Sequence, residues 1–252
     1  MSSRESGRQP KYQRIAGELR EAIGAGRYGA GDRLPGENDL MAEYAVARMT
    51  ARQALAVLQA EGIAEARKGA GVFVRDFRPI RRRGIERLAR AQWGEGRSVW
   101  AADIGGRDLV VDSVEVTEGQ APGPVASVLD LEEDARVCVR RRRFVLEGKP
   151  VLLSTSYLPA GLVAGTRITQ PDTGPGGTYA RLAELGHGPA RFREEVRSRM
   201  PGQDEAERLE LPAGVPVMLV ARTAFDAQGN AVEVNEMVLD ASAYVLEYGF
   251  DA

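Results

Sequence analysis

The chain has 252 residues, 43% hydrophobic, 28% charged and 6% aromatic, with a formal net charge of -2. That is the balance of an ordinary globular protein, long enough for one large core or two modest ones. A single histidine (His187) and a single cysteine (Cys138) exclude a zinc cluster of the common Cys/His kind and an intrachain disulfide, and no apolar run approaches the roughly 18 residues of a membrane span.

The polar, basic start MSSRESGRQPKYQR lacks the apolar stretch of a secretory signal. With the lone cysteine, this points to a reducing cytoplasm and no membrane partner. Residues 12–23 carry Ile15, Leu19 and Ile23 at a four-residue spacing, the stripe of an amphipathic helix, which stops at Gly24 and Gly26. Leu34-Pro35-Gly36 opens a second helix, with Glu37 and Asp39 in its first turn and Leu40, Met41 and Tyr44 to pack. After a break at Ala45–Ala47 a third helix runs to about Glu61 and ends at Gly62. Ile63–Arg67 and Val72–Arg75 then flank Lys68-Gly69-Ala70-Gly71, a glycine hairpin turn. Three short helices followed by a two-stranded ribbon is the winged helix-turn-helix order.

Residues 77–96 read as a linker, with a weak helical stretch around Ile85–Trp93 and a solvated run Arg81-Arg82-Arg83. Beyond it the pattern turns to strands. Asp108–Glu118 alternates, and Val137–Leu146 and Pro150–Leu158 form a hairpin about Glu147-Gly148. Thr178–Leu185 is a short helix, Phe192–Met200 alternates, and Gln203–Leu209 is helical. Val217–Asp226 and Ala231–Leu239 make a second hairpin about Gln228-Gly229-Asn230. The fold class is α+β, with a mainly antiparallel sheet in the second part.

The third helix carries the first functional pattern. Arg48 and Arg52 are one turn apart, with Gln53 beside Arg52, while Ala51, Ala54, Leu55 and Leu58 face the core. Arginine can pair with guanine O6 and N7, and glutamine with adenine, when a helix enters the major groove. A helix N-terminus also offers N–H groups to a phosphate. A solvated basic face is the competing reading, and Arg67 and Lys68 beside two turn glycines weigh against it, since they let the backbone approach DNA. Charge sums are only permissive: residues 1–76 hold 12 basic and 10 acidic residues, the remainder 22 and 26.

The second pattern is Arg140–Arg143. On a strand Arg140 and Arg142 share one face, and Arg141 and Arg143 the other. A pair turned inward is costly unless it meets an anion; the alternative is a solvated face with salt bridges. The register carried forward is Arg140 with Arg142. Gly174–Gly177 before a helix could hold an anion, with an ordinary loop and cap as the commoner reading. A Ser-His-Asp triad would have to use His187, in the loop Leu185–Pro189, so no catalytic residue, metal site or cofactor is expected.

The run from Lys11 to Val74, with its GDRLP, RMTARQAL, EGI and KGAGVFV segments, resembles the GntR family of winged-helix regulators. The remainder resembles the HutC subfamily, whose effector domain, UTRA, has a chorismate-lyase-like fold. Its marks are RRRRFVLEGKPVLLSTSYLP, DTGPGGTYARLAELGH and VEVNEMVLD. The resemblance implies a winged helix-turn-helix over 1–76, the linker over 77–96 and a UTRA effector and dimerisation domain over 97–252. It further implies a homodimeric repressor that leaves a palindromic operator in double-stranded DNA when a small effector binds. DNA contacts carried over by position are Arg48, Thr50, Arg52, Gln53, Lys68 and Gly69. Effector contacts are Arg140, Arg142, Ser156, Glu236 and Tyr244, for a phosphate- or carboxylate-bearing molecule. An enzyme using the lyase-like fold, a nonspecific DNA binder and an activator are the competing readings.

Three positions depart from the family pattern. Ala47 stands where relatives usually cap the helix with Ser or Thr, and Asn38 where they commonly have arginine. Ser154 stands where many sugar-phosphate-sensing relatives have an acid, so that effector class is not assigned.

Overall fold

The computed structural model describes residues 10–67, 69–75, 80–83, 88–89, 100, 103–104 and 106–249. The chain falls into two compact units, Met1–Arg78 with Ala213–Val215, and Pro79–Pro212 with Pro216–Ala252.

In the first unit, helices α1 (Lys11–Gly24), α2 (Glu37–Tyr44) and α3 (Arg48–Ala60) precede a hairpin of β1 (Ala64–Arg67) and β2 (Gly71–Val74). α1 turns Ile15, Ala16, Leu19 and Ala22 inward, because side chains three and four apart share one face. α3 answers with Ala51, Ala54, Leu55 and Leu58, and Leu34 and Leu40 complete the core. Each buried Leu or Ile contributes about 1.5–3 kcal/mol, and the small alanines let α1 and α3 approach. α2 starts where the Asp39 carboxylate accepts the Gly36 N–H at 2.9 Å. It ends at Ala45, in the left-handed region at φ 48°, which turns the chain sharply into α3.

The second unit contains β3 (Ile80–Arg83), β4 (Leu109–Gln120), α4 (Gly123–Val128), β5 (Arg136–Leu146), β6 (Lys149–Pro159) and α5 (Ala160–Val163). These are followed by α6 (Gly177–Glu184), β7 (Arg191–Arg199), α7 (Gln203–Arg208), β8 (Val217–Phe225), β9 (Ala231–Asp240) and β10 (Tyr244–Glu247). Six strands form one antiparallel sheet in the order β4-β5-β6-β9-β8-β7. The period of two gives the sheet two distinct faces. On one face, an apolar cluster with Leu158, Ile168, Tyr179 and Leu182 lies toward one end, and another with Phe144, Leu152, Met237 and Leu239 toward the other. The opposite face carries Val137, Val139 and Tyr157 with Val125 of α4, and Leu153 and Val217 with Leu209.

The linker expected over 77–96 contains structure of its own. β3 pairs in parallel with β10, Ile80 opposite Tyr244 and Arg82 opposite Leu246. Alternation along β3 turns Arg82 inward, 2% exposed, where it bonds Glu194, while Arg81 and Arg83 face Glu247 at the surface. The reading of all three arginines as solvated is corrected on this point: a strand buries every second side chain. Most of the helical stretch expected around Ile85–Trp93 lies outside the described residues.

Candidate functional site

Two sites take shape, one in each unit. At the start of α3, Arg48 and Arg52 stand exposed at 62% and 61% of their side-chain surface. Arg52 donates to both carboxylate oxygens of Glu37, at 2.8 and 3.3 Å, and Arg48 donates to Asn38 Oδ1 at 3.1 Å with Glu37 3.8 Å away. The Arg52 hydrogen bond holds the Glu37 carboxyl below its ordinary pKa against the opposing pull of partial burial, and the same bond raises Arg52. The first turn of α2 therefore supplies a carboxylate that gathers both guanidinium groups on one side of α3. Gln53 is exposed beside them, and Thr50 is half-buried. Ala47 caps the helix without a side-chain hydrogen bond, leaving N–H groups of the first turn available to an acceptor.

The hairpin β1–β2 adds a second exposed element. Gly69 and Gly71 take φ of +73° and +118°, values a side chain rarely tolerates. A Cβ at Gly71 would lie 3.0 Å from Arg33 Nε, a contact the Arg33 side chain can relieve by shifting, so it is the backbone conformation that calls for glycine there. Arg67 lies over the Phe73 ring at 4.4 Å and pairs with Glu65 at 3.0 Å. Lys68 lies outside the described residues.

In the second unit, the space between the two apolar clusters on the sheet is a cavity of about 380 Å³. β5 turns Arg140 and Arg142 toward it, and Arg141 and Arg143 the other way, where they meet Glu115 and Asp112. Of the two registers open in the sequence, the strand presents the Arg140–Arg142 pair. Arg140 is 2% exposed and donates to the carbonyls of Ile168, Gln170 and Pro171. Its guanidinium thereby fastens the loop that leads to Gly174–Gly177. Arg142 donates to Ser156 Oγ at 2.9 Å and Ser154 Oγ at 3.4 Å, and Ser154 in turn donates to Asn235 at 3.0 Å. Removal from water pushes the Arg142 guanidinium down to about 10, with Glu233 opposing and Arg140 adding to the shift. It stays charged at neutral pH.

The cavity has members that sequence reasoning missed. Arg222 is 2% exposed, with Trp100, Tyr179 and Phe192 rings within 6 Å of its guanidinium. Burial pulls Arg222 down, but Tyr179, Glu233 and Glu194 more than offset it and hold it above its ordinary value. Glu233 and Asn235 are buried in the same wall. The sheet register explains the grouping: Arg140, Ser156, Asn235 and Arg222 stand opposite one another in a single row across β5, β6, β9 and β8.

Two expected effector residues lie elsewhere. Glu236 is exposed on the opposite sheet face, opposite Thr155 and Ala221, because it is one residue out of phase with Asn235. Tyr244 sits on β10 in the apolar cluster with Ile80 and Phe144, outside the cavity lining. Ser156 is fully buried and reaches the cavity through its bond to Arg142.

Comparison with known proteins gives two family matches: residues 11–74 to "Bacterial regulatory proteins, gntR family", and residues 105–245 to the UTRA domain. An HTH-type transcriptional regulator of Streptomyces coelicolor is 33% identical, covering 96% of this chain and 93% of its own. The HTH-type transcriptional repressor PhnF of Mycolicibacterium smegmatis is 28% identical over 88% of this chain and 85% of its own. Among solved structures, a putative GntR-family transcriptional regulator superposes with a TM-score of 0.64 at 28% identity, covering 97% of this chain and 98% of that one. PhnF superposes with a TM-score of 0.58 at 25% identity, over 94% and 99%.

Proposed function

The chain belongs to the GntR family of bacterial regulatory proteins and carries a UTRA domain, so it is a transcriptional regulator with DNA-binding and effector domains, and we propose that it is a cytoplasmic repressor released from its operator by a small anion. In this reading residues 1–76 read DNA, 97–252 bind the effector and dimerise, and the stretch between them joins the two. The protein acts as a homodimer on a palindromic site, each protomer reading one half. A relative named as a repressor, PhnF, aligns over most of both chains.

The carrying observation is the pair Arg48 and Arg52, exposed on one face at the start of α3 and gathered by a single carboxylate. Facing a duplex, the guanidinium groups exchange Glu37 for guanine edges or phosphates, and Gln53 reads an adjacent base. Thr50 and the first-turn N–H groups contact the backbone of the DNA, and Lys68 and Gly69 bring the wing beside the groove. In the effector domain Arg140 and Arg142, with Ser156 behind Arg142, favour an anion in the cavity. Its binding changes the spacing of the two DNA-reading units.

A gel shift on DNA from the gene's own promoter tests the reading. The wild type is expected to give a salt-sensitive, sequence-specific shift. The double variant Arg48→Ala, Arg52→Ala is expected to lose about 100-fold or more in operator affinity, each bidentate contact being worth roughly tenfold or more. Undiminished operator preference in that folded variant rejects the proposal.

A further inference from the structure

The two arginines at the start of α3 are held by chemically different partners. Arg52 is gripped by the carboxylate of Glu37, through Nε at 2.8 Å and Nη2 at 3.3 Å. Arg48 comes no closer than 3.8 Å to that carboxylate, and its hydrogen bond runs from Nη2 to Oδ1 of Asn38 at 3.1 Å. Both partners belong to the first turn of α2, where the other acid, Asp39, is committed to the Gly36 N–H. A charged partner competes with any new anion and has to be given up when one arrives. A neutral amide cancels none of the cation's charge. Since a guanidinium carries several N–H donors, Arg48 can stay bonded to Asn38 while its remaining N–H groups read a base.

The same bond decides what Asn38 has left to offer. Arginine only donates, so the amide must give Arg48 its oxygen and keep its nitrogen for something else. Asn38 is exposed, and its side chain makes no other hydrogen bond among the described residues. An unengaged asparagine pairs with adenine by donating and accepting at once, at N7 and N6. With its oxygen spent on Arg48, Asn38 can only donate. Its match in the major groove is an edge of acceptors, guanine N7 and O6 or thymine O4, and the amino group of cytosine is its mismatch.

We propose that Asn38 is a specificity-determining residue of the DNA-reading surface: it holds Arg48 in the orientation that reads one base, and its own amide N–H groups read a second, guanine or thymine, in the same half-site. This rests on the DNA-reading role proposed above and deepens it. Toward Arg48, Asn38 is a positioning residue; toward the second base it is a direct contact. The division of labour follows from the partners' charge. Glu37 lets its arginines go on meeting DNA, whereas Asn38 keeps hold of Arg48 through the encounter.

Selection of preferred duplexes from a randomised pool by the full chain, followed by anisotropy titration of single-base changes, tests this. Arg48→Ala identifies the position that Arg48 reads, as the one whose preference disappears. Asn38→Ala is expected to lower selectivity about fivefold there and at one further position where the wild type prefers guanine or thymine, the worth of about one hydrogen bond at each. Preferences elsewhere in the half-site should hold to within about twofold. In the Arg48→Ala background, Asn38→Ala should alter the second position alone, because its first effect acts through Arg48. Asn38→Asp keeps a bond to Arg48 but offers an acceptor in place of the N–H groups, so the second position should move to cytosine. Asn38 is exposed, so neither substitution disturbs the core. Equal weakening of all sequences by Asn38→Ala would mark a phosphate contact or a structural role and overturn the proposal. An unchanged preference profile overturns it too, as does a second position that Asn38→Asp leaves at guanine or thymine. A wild type that selects no sequence, or whose preferences survive Arg48→Ala, overturns the DNA-reading role along with this inference. Selectivity that depends on Arg48 but not on Asn38 overturns this inference alone.

Discussion

Arginine is used in two opposite ways in this molecule. At the start of α3, Arg48 and Arg52 leave about three-fifths of their side chains in water, sharing one carboxylate, Glu37, that is itself 30% exposed. In the sheet unit Arg82 and Arg222 are 2% and 3% exposed and share Glu194, 10% exposed. An exposed pair exchanges its partner cheaply, since water and salt already compete for it. A buried pair does not, because each charge has lost its hydration and depends on the groups fixed around it. The first arrangement suits a surface that must let go of its own acid to take up another anion. The second suits a scaffold that holds charge ready inside a cavity.

The largest expected effect breaks the buried side of this comparison. Glu194→Ala leaves the Arg82 and Arg222 guanidinium groups without the carboxylate between them. Breaking a buried pair by removing one partner costs about 3–5 kcal/mol. The melting transition of the sheet unit should fall accordingly, while a Glu37→Ala variant should leave the first unit's transition nearly unmoved. Equal effects in thermal melts of the two variants would show that burial does not separate the two arginine pairs.

Local pattern carried much of this into the sequence. The strand pattern of Val137–Leu146 and Pro150–Leu158 about the turn at Glu147-Gly148 places β5 and β6 to within a residue, and Arg48 with Arg52 follow from helical spacing alone. What stayed hidden depends on long-range pairing. β3 and β10 meet across some 160 residues of sequence, and nothing in Arg81-Arg82-Arg83 announces that the middle one is buried. Arg222 and Glu233 enter the cavity only once β8 and β9 are aligned with β5 and β6. Glu236 illustrates the same limit: its phase relative to Asn235 is a property of the sheet, and one residue of shift sends a side chain to the other face.

A mid-sized effect sharpens the exposed side. Ala47 occupies the N-cap of α3 in an extended conformation, φ -69° and ψ 152°, with no side-chain hydrogen bond. That is the backbone a capping serine adopts, so Ala47→Ser should add a hydroxyl acceptor for a first-turn N–H without rearrangement. The expected gain is about 1 kcal/mol, read as a raised melting temperature of the first unit. An unchanged or lowered value would show that the start of α3 is less open than its exposure indicates.

The smallest expected effect concerns exchange itself. If Glu37 is the partner that Arg48 and Arg52 give up on meeting DNA, Glu37→Gln removes a competing anion and also a phosphate-repelling charge. Affinity for random duplex should rise about two- to fivefold, in keeping with an exposed ion pair, and its salt dependence should steepen because the arginines neutralise more phosphate. Operator affinity should rise less, since the carboxylate also orients both guanidinium groups for base reading, so the ratio of specific to nonspecific binding falls. Acid should mimic the substitution. Arg52 lowers the Glu37 carboxyl in the folded chain, so the clamp stabilises fully above the ordinary carboxylate pKa and is lost only as pH falls through the depressed folded value. At neutral pH it is therefore intact. Anisotropy titrations of operator and scrambled duplexes across a salt series distinguish the outcomes: a parallel shift for both duplexes means Glu37 acts as bulk charge alone, whereas a reduced ratio means it positions the arginines that read the sequence.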